Sequence, residues 1–206
     1  LFVDARQRPG QQRFAISHGH KLAQFLTQMS CTIVLHVCTV TAMVTNVLIS
    51  GASIAGPALA HCLRRYGFAV TVVERAPALR PGGQAVDLRG VSKEAVRRMG
   101  LEAQVRAART NTRGMSIVDR NNKRIGEMRA DMLGGDGLIA EIEILRGDIS
   151  EVFYRATEGE VEYLFGDQIT AVHETGECVE VTFASGAVRT FDIVVGADGL
   201  HSGVRA

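Results

Sequence analysis

Residues Val47 to Pro57 read VLISGASIAGP, an apolar run that passes straight into a turn cornered by Gly51 and Gly56. A helix-length segment follows, and then a second apolar run, VTVVER, that ends in Glu74. Strand, glycine turn, helix, strand and terminal carboxylate, in that order, describe a βαβ unit whose turn can receive the diphosphate of a dinucleotide. Gly51 would let the chain turn sharply, and Gly56 would let the helix lie close to the strands. Ser53 stands where the usual pattern has a middle glycine, so the motif is GxSxxG. The backbone N–H groups near Ile54 and Ala55, at the positive end of the helix, would face the phosphates. Glu74 could accept from both ribose hydroxyls, and its charge disfavours a 2′-phosphate there. The alternative is a βαβ unit that is only structural.

The pattern on both sides of this unit alternates in the manner of an α/β domain. Strands are expected at 45–50 and 69–73, with a helix over 54–66 whose Leu59, Cys62, Leu63 and Tyr66 make one apolar face. Pro57 falls in the first turn of that helix, where a missing N–H costs nothing. Further on, AVDL reads as extended. Residues 92–99 and 101–108 read as short helices broken at Gly100, with Ser92 as N-cap. Strands 114–119 and 124–128 flank the turn RNNK. A glycine-rich loop at 130–140 precedes a helix over 146–156 and a strand over 161–165. Alternating segments 168–174, 178–183 and 188–190 are divided by turns at Gly176 and Gly186, and 191–195 reads as a buried strand entering GADG. The order points to one doubly wound domain carrying antiparallel hairpins.

Composition narrows the function classes. A chain of 206 residues, 46% hydrophobic and 22% charged, has the make-up of an ordinary globular domain. Its net charge of +1 gives no argument for nucleic acid or an anionic membrane surface as a partner. Cys31, Cys38, Cys62 and Cys178 lack CxxC spacing and read as reduced thiols, consistent with a cytoplasmic protein. Cys31–Ser50 carries no Asp, Glu, Lys or Arg, which raises a membrane span. Thr32, His36, Thr39, Thr41, Thr45 and Asn46 dilute the run, however, and its last part is needed as the first strand. Met43 begins a stretch that resembles a natural start. Residues 1–42 therefore read as an extension, either without fixed structure or packed as a helix over 21–42, and 43–206 as a partial cofactor-binding domain. The HxH of His18 and His20 has no further ligands near it in sequence, so no metal site is expected. His201 beside Ser202 lacks an orienting carboxylate and an oxyanion hole, so no catalytic residue is assigned.

Several segments together resemble the FAD-dependent aromatic-ring hydroxylases of the FAD-binding monooxygenase superfamily. They are GASIAGPALAHCLRRYGFAVTVVER, ending in Glu74 and Arg75; GGQAVDLRG followed by EAVRRMGL; EIEILRGDISEVF; and DIVVGADGLHSGVR, with Asp198, Gly199, Ser202 and Arg205 in register. The resemblance covers about Met43 to Ala206. It implies a Rossmann-like FAD-binding fold with a central parallel sheet and inserted antiparallel hairpins, cut short at the C-terminus. It further implies that Glu74 and Arg75 meet the adenosine end, that Arg146 reaches the cofactor, and that Asp198 supports the pyrophosphate region.

The implied reaction is hydroxylation of a small aromatic or polyketide-like substrate, with NADH or NADPH as transient electron donor and dioxygen, through a flavin C4a-hydroperoxide. Other residues and reactions remain open at this stage. Arg146 could instead pair with Glu143 or Asp148 on a solvated face, Asp198 could simply form a turn, and Asp87 and Arg89 could approach the flavin or lie on the surface. Another FAD reaction on this fold, such as a reductase or an epoxidase, and a non-catalytic nucleotide-binding relic are the competing readings. A halogenase is disfavoured by the absence of tryptophan. Family members continue beyond the part matched here, with a later Gly-Asp motif, a substrate-covering sheet and a helical tail. The chain is therefore expected to bind FAD weakly and to catalyse little.

Overall fold

A computed structural model of the chain describes residues 35–37, 46–129, 140–176, 178–200 and 202–204. Among these, the central element is a five-stranded sheet in the order β1-β12-β2-β3-β8, built from Leu35–Val37, Ile193–Gly196, Asn46–Ser50, Ala69–Glu74 and Glu162–Phe165. β12, β2, β3 and β8 run parallel. Helix α1, Ala55–Arg65, makes the crossover between β2 and β3. Its end is set by Gly67 at φ +85°: Gly67 N donates to Arg64 O and Phe68 N to Leu63 O, the paired bonds of a Schellman stop. The helix therefore ends before Tyr66, which was expected on its apolar face and is instead 54% exposed.

Side chains of β2 alternate strictly between two cores, as period-two geometry requires. Val47 and Ile49 face α1 together with Leu59, Leu63, Val70 and Val72. Leu48 faces the other way, into a cluster with Val73, Val179, Val181, Phe183, Phe191 and Val194. That second layer is an antiparallel sheet, β11-β10-β9, made from Val188–Phe191, Val179–Phe183 and Ile169–Glu174. The central strands are covered on both faces, which is why they read as continuous apolar runs. Glu162 fastens the two layers at the edge: it accepts from Thr71 Oγ1 at 2.9 Å and from Arg189 at 2.8 and 3.1 Å, and these donors hold its carboxyl below the ordinary value.

A third cluster lies beside α1. Helices α2 (Val91–Met99), α3 (Glu102–Ala107) and α4 (Arg146–Arg155) join the strand pair β4–β7 (Ala85–Leu88 with Ile142–Leu145) around Val96, Val105, Ile142, Ile144, Ile149 and Phe153. The remaining pair, β5 (Gly114–Val118) with β6 (Arg124–Arg129), closes through Asp119, whose Oδ1 accepts from Asn121 N and Lys123 N. All five residues of β5 are exposed.

Several expectations need adjusting. Strand β1 lies within the stretch expected to be helical or without fixed structure; it pairs antiparallel with β12, whose outer backbone groups would otherwise lack strand partners. The strand expected over 191–195 is two strands. Phe191 ends β11 in the antiparallel layer, and after Asp192 the chain enters the parallel sheet as β12. Ser92 does not cap α2: the cap position is Gly90, and Ser92 Oγ donates to Arg89 O. β7 had no counterpart in the sequence reading. His18, His20, Cys31, Cys38, His201, Arg205, residues 21–34 and 38–42 of the helix expected over 21–42, and residues 130–139 of the glycine-rich loop lie outside the described residues. Cys62 is buried and Cys178 half-buried, both free, and burial pushes the Cys62 thiol up to about 11. No helix among the described residues is long and apolar enough to cross a membrane.

Glu141, just before β7, ties the helical corner together by accepting from Lys93 at 2.6 Å and Arg106 at 2.7 Å. Those hydrogen bonds lower its pKa from 4.5 to about 2. A carboxylate depressed in the folded state adds stability that is complete above its unfolded pKa and is lost as the pH falls through the folded one. Urea unfolding midpoints of the wild type should thus decline between about pH 4.5 and about pH 2, and Glu141→Gln should decline less over that window. Equal declines in the two proteins would exclude the contribution.

Candidate cofactor site

The glycine turn lies at the C-terminal end of β2, on the side of the parallel sheet where open α/β folds take their ligands. Two missing side chains shape it. A β-carbon on Gly56 would stand 1.8 Å from Gly51 O, so only glycine lets the first turn of α1 sit on the end of the strand. Gly51 has φ +105°, and a β-carbon there would meet Ala197 O at 2.7 Å and Asp198 Cα at 2.9 Å. The turn is thus pressed between its own helix and the segment that follows β12. Gly51 N donates to Val73 O at 2.7 Å, and Ala197 N to Ser50 O at 2.8 Å, locking the three strand ends together.

No side chain caps α1, and no acidic residue lies in its first turn, so the positive end of the helix is not offset locally. Ser53 is exposed, while Ile54 and Ala55 are half-buried. Among the described residues only Asn122 is a non-glycine with positive φ. Ser53 therefore needs no glycine-only conformation, and its side chain is exposed.

Glu74 occupies the tip of β3. Its Oε2 accepts from Ala52 N at 2.9 Å and its Oε1 from Ala76 N at 3.0 Å. The sequence reading gave this carboxylate a sugar contact; its partners within the chain are backbone N–H groups of the turn and of the loop beyond β3. The two roles are compatible, because each carboxylate oxygen has a second lone pair. Arg75 is exposed beside it, with no side-chain hydrogen bond or ion pair to another described residue.

Arg146 is the first residue of α4, and it too is exposed without a side-chain partner among the described residues. The alternative pairing with Glu143 does not occur: that carboxylate accepts from Thr110 Oγ1 at 2.6 Å and from Thr112 Oγ1. Gly147 N donates to Gly82 O at 2.7 Å and Arg146 N to Gln84 O at 3.0 Å, so the GGQ segment docks on the start of α4. One turn further along α4, Ser150 Oγ donates to Ala52 O at 3.2 Å. The Arg146 helix and the glycine turn are therefore joined directly, by a serine that the sequence reading passed over.

Asp198 lies behind Gly51. Its Oδ2 accepts from Ser50 Oγ at 3.3 Å and from Gly203 N at 3.0 Å, whereas Oδ1 is buried without a hydrogen-bond partner among the described residues. Asp87 and Arg89 pair with each other at 2.9 Å, on β4 and just beyond it. Gly51, Ser53, Ile54, Ala55, Gly56, Glu74 and Asp198 thus share one corner, Arg146 borders it through α4, and Asp87 and Arg89 lie apart on the β4–β7 pair.

This corner fits a dinucleotide. It has a helix start without a side-chain cap, an exposed serine hydroxyl, a carboxylate with spare acceptor sites and, nearby, an arginine without a side-chain partner among the described residues. Gly56→Ala should cost about 3 kcal/mol or more, because the clash is with backbone rather than with a movable side chain. Urea denaturation measures this directly, and a loss under about 1 kcal/mol would show that the close approach is not required.

Comparison with known proteins agrees with the geometry. The family model described as "FAD binding domain" matches residues 44–206. The Mycobacterium tuberculosis protein Rv1260 is 49% identical over 161 residues, which are 78% of this chain and 43% of that protein. The FAD-dependent monooxygenase asL4 of Sarocladium schorii is 40% identical over 163 residues, 78% of this chain and 38% of its own length. Among solved structures, the tetracycline destructase Tet(51) superposes with a TM-score of 0.67 at 36% identity, over 80% of this chain and 41% of Tet(51). The chain spans about two fifths of the length of the relatives it matches. A glycine turn, strand-tip carboxylate and Asp-Gly segment held in one corner, together with a family match over 44–206, show that the chain belongs to the FAD-binding domain family of flavin-dependent monooxygenases.

Proposed function

We propose that the chain forms the FAD-holding part of a monooxygenase that uses NADH or NADPH and dioxygen to hydroxylate a small aromatic or polyketide-like substrate. The observation that carries this reading is the corner at Gly51, where three strand ends meet the start of α1, a helix end without a side-chain cap. The monooxygenase relatives support the reaction class. The tetracycline in the name of Tet(51) supports a multi-ring, oxygenated substrate.

Bound FAD would supply the electron transfer and dioxygen activation. The chain's own residues have simpler tasks. N–H groups around Ile54 and Ala55 and the Ser53 hydroxyl would donate to the diphosphate. Glu74 would accept from the ribose hydroxyls with its free lone pairs while still holding Ala52. Arg146 would lie over the cofactor from the start of α4, as a fixed charge needing no proton exchange. Asp198 would hold Gly51 and the segment behind it in place through Ser50 and Gly203.

Titrating the chain with FAD and following flavin fluorescence should show weak but saturable binding. Glu74→Ala should weaken that binding by about 1–3 kcal/mol, the range for charge-assisted hydrogen bonds to a sugar. Unchanged affinity would remove the ribose role, and a wild-type chain that takes up NAD but no FAD would refute the cofactor assignment. With the longest native form of the protein, NAD(P)H consumption should accelerate when multi-ring phenolic compounds are added.

A further inference from the structure

Ala52 is 3% exposed, and both of its backbone polar groups are satisfied by side chains rather than by a strand or helix ladder. Its N–H donates to Glu74 Oε2 at 2.9 Å, and its carbonyl accepts from Ser150 Oγ at 3.2 Å. The two side chains come from different layers: Glu74 ends β3 in the parallel sheet, whereas Ser150 sits in α4, 98 positions from Ala52. Ser150 is itself 4% exposed. A buried hydroxyl is costly unless it is bonded, and mid-helix serines often return to a carbonyl of their own helix. Here the hydroxyl crosses to the turn.

We propose that Ser150 is a positioning residue for the cofactor turn. Together with Glu74 it grips Ala52 from both ends and sets the tilt of the peptide that leads into Ser53, Ile54 and Ala55. Gly51 is fixed at the same time by Val73 O and by the backbone of Ala197 and Asp198. The turn is therefore held on three sides before any ligand arrives, and only the Ser53–Ala55 side is open. Because Arg146 lies four residues before Ser150, it shares a face of α4 with it. The same hydrogen bond thus places the Arg146 end of the helix against the turn. The ligand in this inference rests on the FAD reading; the brace does not.

The test compares Ser150→Ala, which deletes only the hydroxyl, with Ser150→Thr, which restores one. In the ligand-free chain, amide hydrogen exchange at Ala52 should be about tenfold faster in Ser150→Ala while Leu48 and Val72 are unchanged, and Ser150→Thr should return Ala52 to near its wild-type rate. ADP, used as the probe for the diphosphate, should bind about five- to tenfold more weakly to Ser150→Ala. Unchanged exchange at Ala52 would overturn the proposal. So would an equal rise at Leu48 and Val72, which would make the hydroxyl a general stabiliser, or a loss of protection in Ser150→Thr as large as in Ser150→Ala. A wild-type chain that does not bind ADP would sink the FAD reading instead, and the exchange rates would still decide the brace.

Discussion

The architecture depends on one close approach, that of the first turn of α1 to the carbonyl of Gly51. Residue 56 offers no β-carbon, so the helix can begin almost on top of the strand that feeds it. From that contact follow the sharp exit from β2, the burial of Leu59 against the sheet and of Ala58 against the helical corner, and the placing of an uncapped helix start at the strand ends. A bulkier residue would tilt α1 away, and the amide cradle would move with it. Stability and binding are therefore coupled at this position.

Behind the turn, the fold brings distant segments to one point. β2, β3 and β12 end side by side, and Gly51, Glu74 and Asp198 stand at those three ends. α4 enters from the other side with Ser150 on Ala52. Parallel strands with crossovers between them generate this convergence without any local sequence signal, because consecutive C-terminal ends fall on the same edge. The cofactor corner is thus largely a consequence of topology, finished by a few side chains that fix the turn.

Much of this was legible in the sequence, for identifiable reasons. The βαβ unit carries its own punctuation in Gly51, Gly56, Pro57 and Gly67, and the short helices are divided by Gly100. Where the signals failed, tertiary pairing had decided the outcome. Asp192 is one residue in an apolar stretch, yet it separates a strand of one sheet from a strand of another. β7 is four residues long and exists because β4 offers an edge to pair with. Tyr66 matched the helical period, but the Schellman stop removed it from the helix. The first partners of Glu74, two backbone N–H groups, and the carbonyl that accepts from Ser150 were invisible, since a backbone partner leaves no trace in residue type.

Where the diphosphate lies decides whether the glycine turn is the cofactor cradle. The most direct measurement is a titration of the isotopically labelled chain with FAD, following backbone amide resonances. The largest shifts should fall on Ser53, Ile54, Ala55 and Gly56, with smaller ones at Ala52 and at Arg146. Binding that leaves those amides unmoved while shifting another region would contradict the assignment of the glycine turn as the cofactor cradle.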